Sequence, residues 1–374
     1  MRSPEKFSFQ PEQTGESLET EQKKLDSIRK QHRYQERPAF FDETVLKQGK
    51  DNERRKPTDI EKEQMNNNMR KLGDVFENSA VRWQLDGAFN ISLLKGEYIG
   101  VHKDVDLTID PDDLEKLEKQ LFQKGYGFFL SSKHDDPKKR KMEWVSANEF
   151  REAPEEHLMI VALDEQGKIS NEESLNYIDV HLIKRGKDGK PLGFGRVALP
   201  EKWYEPQKIT FQDKEIYLSH PAKTAYFKIH GTRELDRTDL QDLAETGGLT
   251  LDDIDEIENI LEQEFENRKT LILDIIKRIA PEIGESSGTE EIFAILMKNE
   301  DISERLKKEE DKQRVYELAE RIAEQEDKSL ENIGQIALDT VNIEEEIIEQ
   351  RKELQSLRQK VSNVKKNIEE GSDI

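Results

Sequence analysis

One stretch, residues 85–109 with the sequence LDGAFNISLLKGEYIGVHKDVDLTI, constrains the fold more than any other part of this chain. From Asp104 to Ile109 polar residues alternate with Val, Leu and Ile, and this period of two is typical of a half-buried β-strand. Asp104 and Asp106 therefore leave the same face of the predicted strand, roughly 6.5–7 Å apart along it. Two carboxylates at that spacing can converge on a hard cation such as Mg²⁺. The stretch therefore predicts a metal–carboxylate site on a sheet.

The residues before this strand, and one segment far beyond it, extend the predicted site. Residues 86–88 (DGA) predict a tight turn, in which small residues let the backbone approach a ligand. A short apolar helix is predicted from Phe89, and the free N–H groups at its start would point at a bound phosphate. Residues 176–183 (NYIDVHLI) again alternate polar with apolar side chains, so Asp179 is a third carboxylate on a strand.

Composition limits the partners that the chain can take. The 59 basic and 81 acidic residues give a formal net charge of -22, which disfavours duplex nucleic acid. The chain contains no cysteine, so disulfides and thiolate metal sites are excluded. No apolar run approaches the ~20 residues that cross a bilayer, and the N-terminus lacks the apolar core of a signal peptide. We therefore expect no membrane association and a cytoplasmic protein.

The pattern along the chain predicts four parts. Residues 1–57 are polar and are expected to form a mostly disordered arm, with at most a short helix near residues 19–32. Residues 58–248 are expected to form the folded domain, an α+β structure with a small mixed sheet flanked by helices. Residues 249–338 are expected to be helical, with helices over 251–265 and 271–279. Residues 339–374 are a candidate coiled-coil helix.

The candidate coiled coil rests on apolar residues at heptad spacing between residues 343 and 368. One predicted seam contains Ile347, Leu354, Val361 and Ile368, and the other contains Ile343, Gln350, Leu357 and Val364. Two interpretations are open at this point. The helix either joins two copies of the chain as a homodimer zipper or folds back on the preceding helices of its own chain.

The order of the motifs resembles the signature of the nucleotidyltransferase superfamily. Residues 85–88 (LDGA) are followed by fifteen residues and then by residues 104–107 (DVDL), which corresponds to a glycine turn, a spacer and a strand with two metal-binding acids. The chain looks most like lincosamide-type antibiotic nucleotidyltransferases and, more loosely, abortive-infection toxin nucleotidyltransferases. The resemblance extends to His102, to residues 178–181 (IDVH) and to residues 233–240, and it covers about residues 70–245.

This resemblance implies a metal site. Asp104 and Asp106 would hold Mg²⁺. Asp179 would complete the metal site or act as the base that activates an acceptor hydroxyl. Transfer of a nucleotidyl group needs cations that offset the charge on the attacking and leaving oxygens.

The resemblance also implies a nucleotide site, with a nucleoside triphosphate lying against the turn at Gly87 and Ala88. Ala88 stands where the family has its second glycine. Lys103 is placed to supply the charge of an arginine that the family carries in the spacer. Lys228 and Arg233 are further candidates for contacts with the triphosphate.

The sequence therefore predicts a metal-dependent nucleotidyltransferase that moves a nucleoside monophosphate from a nucleoside triphosphate to a hydroxyl of an unidentified small molecule, RNA or protein. The alternative is a catalytically inactive protein with the same fold that acts as a scaffold through its helical tail. A metal-dependent hydrolase could use the same three aspartates, but it gives no account of the glycine turn.

Overall fold

The computed structural model describes residues 15–38, 55–102, 104–131, 141–153, 157–170, 175–231, 233–284, 288–298, 309–325, 327–341 and 343–370. The chain divides into two compact units. The sheet unit contains the described residues up to Ile183 together with Glu205–His220, and the helical unit contains Lys184–Tyr204 and the described residues from Pro221 onward. The predicted division of the chain into four parts, with a boundary at residue 248, stays a prediction.

A mixed sheet forms the centre of the sheet unit, which confirms the predicted α+β class. Its strands are β1 (Tyr34–Glu36), β2 (Trp83–Leu85), β3 (Asp106–Ile109), β4 (Tyr126–Ser131), β5 (Lys141–Val145), β6 (His157–Ala162), β7 (Tyr177–Leu182), β8 (Gln207–Phe211) and β9 (Lys214–Leu218). Over the described residues the strand order is β1-β5-β4-β6-β7-β3-β2-β9-β8. The pairs β3–β7 and β2–β9 are parallel, and the other neighbouring strands are antiparallel.

The two faces of this sheet carry different side chains, because successive residues of a strand point to opposite faces. On one face Leu107 and Val180 are buried in the main apolar core. On the other face the register places Asp106, Asp179 and Met159 side by side across β3, β7 and β6. The same row continues through Phe129 and Trp144, which belong to a second, smaller apolar cluster. The two carboxylates thus share a sheet face with an apolar patch.

Helices of the sheet unit are α1 (Gly15–Gln31), α2 (Asp59–Phe76), α3 (Gly87–Lys95), α4 (Leu114–Gln123) and α5 (Ala147–Glu152). Helix α2 begins at a cap where Thr58 and Glu61 form a reciprocal capping box. Met65, Met69 and Leu72 are buried on its inner face. Ile60 in its first turn is 74% exposed.

Helix α1 and strand β1 lie within the predicted arm, and α1 lies where a short helix was expected near residues 19–32. Leu25 is buried in the second apolar cluster with Trp144, and the Arg29 guanidinium pairs with Glu118 of α4. Only a few apolar residues, such as Leu25 and Ile28, mark the inner face of this helix, which extends about four residues further toward the N-terminus than expected. The rest of the predicted arm, residues 1–14 and 39–54, lies outside the described residues.

The helical unit contains the helices α6 (Pro221–Ile229), α7 (Glu234–Glu245), α8 (Leu251–Gly284), α9 (Thr289–Lys298), α10 (Glu309–Ala323), α11 (Leu330–Val341) and α12 (Ile343–Glu369). The prediction of separate helices over 251–265 and 271–279 is wrong, because α8 runs unbroken from Leu251 to Gly284 with Pro281 inside it. Residues 266–270 (ENRKT) contain no glycine or proline, so nothing interrupts the helix between the two predicted segments.

Helix α12 packs against α7 and α8 of its own chain. Ile347, Leu354, Leu357 and Val361 of the predicted seams are buried in this packing. Arg358 adds ion pairs to acidic residues of α8. The described contacts thus correspond to the folded-back helix, and a homodimer through α12 stays a prediction. Among the described residues we find no helix long and apolar enough to cross a membrane.

Candidate active site

The candidate site is built on two neighbouring parallel strands, β3 and β7. Asp106, the first residue of β3, pairs in register with Asp179 of β7, and both side chains leave the same sheet face. The Asp179 N–H donates to the Val105 carbonyl at 2.8 Å, which extends the pairing one residue before β3 begins. Neighbouring strands lie about 4.8 Å apart, so the two carboxylates can share a cation between them.

Gly87 packs directly against the Asp106 carboxylate. Its φ of +65° is a left-handed conformation that favours glycine. A Cβ atom added there would lie well under 3.0 Å from Asp106 Oδ2, a separation that real Cβ atoms do not adopt. Helix α3 begins at Gly87, two residues earlier than predicted, so its free N–H groups open beside Asp106. Ala88, the second residue of α3, is half-buried.

Asp86 is a site residue whose role the sequence did not reveal. Its Oδ2 accepts a hydrogen bond from the Thr108 hydroxyl of β3, and its Oδ1 accepts one from the Ser219 hydroxyl just after β9. Its backbone N–H donates to the Asp106 carbonyl at 2.8 Å. The three segments are distant in sequence, and only the strand order β3-β2-β9 brings them together.

Two histidines near the site have different surroundings. His181 Nε2 lies 3.9 Å from Asp106 Oδ1, and its side chain is 66% exposed. The nearby Asp106 carboxylate raises the pKa of His181 above its ordinary value, and the charges of Asp86 and Asp179 act in the same direction. His102 is instead tied to α3, because its Nε2 lies 3.2 Å from the Ser92 hydroxyl.

The third predicted metal ligand, Asp104, precedes the strand. Strand β3 begins at Asp106 rather than at residue 104, and Asp104 is half-buried in the segment leading into it. Within the described ranges, no group of three or more His, Asp or Glu side chains is arranged to hold a metal ion. The structure therefore brings together Asp106 and Asp179 but does not assemble the predicted set of three. Lys103 lies outside the described residues.

The chemistry of the two paired carboxylates nevertheless fits Mg²⁺. This ion is usually bound through one or two carboxylates, several waters and substrate phosphates rather than by a cage of protein ligands. Asp106 and Asp179 supply two hard oxygen ligands side by side. The neighbouring His181 side chain is exposed to solvent.

Lys228 and Arg233, predicted to meet the triphosphate, lie in the helical unit. Lys228 Nζ is 3.0 Å from Asp236 and 2.5 Å from Asp239, and Arg233 is 2.8 Å from Asp236. Burial alone would raise the pKa of Asp236, but Arg233 and Lys228 outweigh it and hold that pKa below its ordinary value. Both cations thus have carboxylate partners within their own unit, and a role in nucleotide binding stays a prediction.

Comparisons with known proteins find matches over part of the chain. The family model of aminoglycoside-2''-adenylyltransferases matches residues 68–149, a segment that contains Gly87, Asp104 and Asp106. A protein of Staphylococcus haemolyticus called a lincosamide resistance protein is 23% identical over 176 residues, which are 46% of this chain and 88% of that protein.

Two solved structures are also similar in part. The lincosamide antibiotic adenylyltransferase LnuA, bound to lincomycin, has 19% sequence identity and a TM-score of 0.30, covering 50% of this chain and 98% of that chain. An antigenic nucleotidyltransferase-like protein from Paracoccidioides brasiliensis has 12% identity and a TM-score of 0.30, covering 56% and 90%.

The matched family and the curated relative relate this chain to the nucleotidyltransferase superfamily, as the resemblance of its turn and two-acid strand predicted.

Proposed function

We propose that this chain is a nucleotidyltransferase that moves a nucleoside monophosphate from a nucleoside triphosphate, with Mg²⁺, to a hydroxyl of an acceptor. One observation carries the proposal. Asp106 and Asp179 stand in register on adjacent parallel strands, and the Gly87 backbone packs against the Asp106 carboxylate without room for a side chain. The relationship to the superfamily supports the same reaction class.

Each residue has a role in this proposal. Asp106 and Asp179 would hold Mg²⁺, which supplies charge that offsets the attacking and leaving oxygens of the transferred phosphate. Gly87 keeps the start of α3 bare, so that backbone N–H groups can donate to the triphosphate. Asp179 could instead take the proton of the acceptor hydroxyl as a general base, provided that the hydroxyl comes within hydrogen-bond reach.

Small molecules are the first acceptors to test. The matched family is described by its action on an aminoglycoside, the curated relative is named for lincosamide resistance, and LnuA was solved with lincomycin. RNA ends and protein hydroxyls remain within the proposal. The relatives do not favour the inactive scaffold, and the buried seam of α12 removes part of the surface that such a scaffold would use.

The test measures pyrophosphate release by the full chain with Mg²⁺, each of ATP, CTP, GTP and UTP, and a panel of lincosamides, aminoglycosides, RNA and protein acceptors. Asp106→Asn and Asp179→Asn keep the side-chain shape and remove the charge. Asp112→Asn is the matched control, because Asp112 is exposed and belongs to another D-x-D pair.

We expect Asp112→Asn to match the wild type. We expect Asp106→Asn and Asp179→Asn to lose on the order of 10²–10³-fold in rate, the size seen when one preorganised electrostatic contact is removed. No release with any combination of nucleotide and acceptor, or unchanged release by Asp106→Asn, would contradict the proposed function.

A further inference from the structure

We infer that Asp86 is a positioning residue of this site, and that it acts by fixing the Gly87 turn to the two strands on either side of it. The inference rests on the proposed function for its catalytic consequence. Its structural content stands on the contacts of Asp86 alone.

The carboxylate of Asp86 is bound by two hydroxyl groups of the protein. Both of its oxygens accept hydrogen bonds from hydroxyl groups, one from Thr108 and one from Ser219. These hydroxyls are buried, because Thr108 is 4% exposed and Ser219 is fully buried. A charged acceptor for two buried hydroxyls makes strong, well-directed hydrogen bonds. Asp86 is therefore held at both oxygens by the protein.

The hydrogen bonds of Asp86 connect β2 to the strands on both sides of it. Asp86 follows β2 directly, Thr108 belongs to β3 on one side of it, and Ser219 follows β9 on the other side. Backbone hydrogen bonds connect the same three strands. The Asp86 N–H donates to the Asp106 carbonyl, and the Ser219 N–H donates to the Leu85 carbonyl at 3.1 Å. The Asp86 side chain thus connects three neighbouring strands.

Gly87 is the neighbour that Asp86 positions. Gly87 comes next in the chain and packs so closely on the Asp106 carboxylate that even a methyl group does not fit. A rotation of the turn would therefore move the start of α3 relative to Asp106. Asn90 adds a further tie on the same helix, because its Nδ2 donates to the Ser219 carbonyl at 3.2 Å. The Asp86 bonds thus fix the geometry that the proposed phosphate site needs.

A direct role as a metal ligand is the competing interpretation, since Asp86 contributes to the charge around His181. The two roles make different predictions for the hydroxyl partners. A positioning residue depends on Thr108 and Ser219, whereas a metal ligand does not need them.

The structural test uses hydrogen exchange without any nucleotide. Peptides covering residues 84–92 are followed in the wild type, Asp86→Asn, Thr108→Val, Ser219→Ala and Thr108→Ser. We expect exchange in these peptides to be about tenfold faster or more in the first three variants, as expected when a hydrogen bond to a charged group is lost. Thr108→Ser keeps the hydroxyl and should behave as the wild type. Unchanged exchange in Asp86→Asn would overturn the inference.

The functional test measures pyrophosphate release by the same variants. In Asp86→Asn, Thr108→Val and Ser219→Ala we expect kcat to fall about 10–100-fold with little change in KM, because misplacement by about 1 Å can cost 10²-fold. Asp86→Asn and Thr108→Val together should cost no more than Asp86→Asn alone, since both remove the same connection. A raised half-saturating Mg²⁺ concentration in Asp86→Asn but not in Thr108→Val would instead identify a metal ligand and overturn the positioning role.

The two tests separate failure of the inference from failure of the proposed function. If wild-type protein releases no pyrophosphate, the proposed function fails, while hydrogen exchange still decides whether Asp86 fixes the turn. If the wild type is active and Asp86→Asn keeps full kcat despite faster exchange, the positioning role in catalysis is overturned while the proposed function stands.

Discussion

Replacement of Gly87 by alanine perturbs the site at one atom. The added Cβ would lie well under 3.0 Å from Asp106 Oδ2, and ordinary contact begins at 3.4 Å. The carboxylate is the end of a rotatable side chain, so we expect it to move while the strand backbone stays in place. The variant should therefore fold with Asp106 displaced from its position beside Asp179.

Gly87→Ala should lower both the stability of the fold and the rate of the reaction, for two separate reasons. A side chain at the left-handed φ of +65° costs about 1–2 kcal/mol in the free energy of unfolding. Displacement of the Asp106 carboxylate by about 1 Å should lower the rate of pyrophosphate release on the order of 10²-fold. The loss of rate should thus greatly exceed what the modest loss of stability explains.

Gly96→Ala provides the matched control for this prediction. Gly96 has a similar φ of +78° at the end of the same helix, but a Cβ there meets nothing within 4 Å. Urea unfolding should show similar destabilisation in both variants, and pyrophosphate release should fall only in Gly87→Ala. Equal activity of the two variants would refute the argument that the Gly87 backbone sets the position of Asp106.

Three further predictions concern stability. Burial alone would raise the pKa of Asp113, but hydrogen bonds from the Arg82 backbone N–H, Lys116 and the Arg82 side chain hold that pKa below its ordinary value. The ionised Asp113 carboxylate therefore stabilises the fold above its unfolded pKa, and Asp113→Asn should lower the free energy of unfolding in urea by about 1.5–3 kcal/mol. This difference between wild type and variant should shrink below pH ~4. A difference that stays constant down to pH 3 would contradict the role of Asp113. Lys228→Met removes a cation that pairs with two buried carboxylates of α7 and should cost about 3–5 kcal/mol. The exposed Arg233 pairs with only one of them, and Arg233→Met should cost less than about 1 kcal/mol. Weaker nucleotide binding without loss of stability would instead support the predicted role of both residues in nucleotide binding. Deletion of residues 343–374 should lower the melting temperature, because it removes buried apolar side chains of α12. Light scattering should show the same number of chains per particle before and after the deletion. A change from two chains to one would instead establish the homodimer zipper.

The sequence predicted those parts of the site that depend on local patterns. Alternation around Asp106 and Asp179 predicted polar-faced strands, because the strand period is a property of adjacent residues. It could not predict that β3 and β7 pair in parallel with these two residues in register, since the pairing joins segments about seventy residues apart. It also extended the strand to Asp104, whereas β3 begins at Asp106.

Features that depend on distant contacts were missed. Asp86 read as a turn residue, and its hydroxyl partners Thr108 and Ser219 become neighbours only through the strand order. A short helix near residues 19–32 was expected, but the burial of Leu25 of α1 against Trp144 depends on a distant contact that the sequence could not show. The helix α12 illustrates the converse, since its heptads were visible but only packing against α7 and α8 showed where they are buried.

The most direct test of the central claim is a crystal structure of the full chain with a nonhydrolysable nucleoside triphosphate and Mg²⁺. We predict that the phosphates lie against the N–H groups at Gly87 and that the metal ion lies between Asp106 and Asp179. A triphosphate bound away from this turn, or a metal ion that neither Asp106 nor Asp179 contacts, would contradict the account.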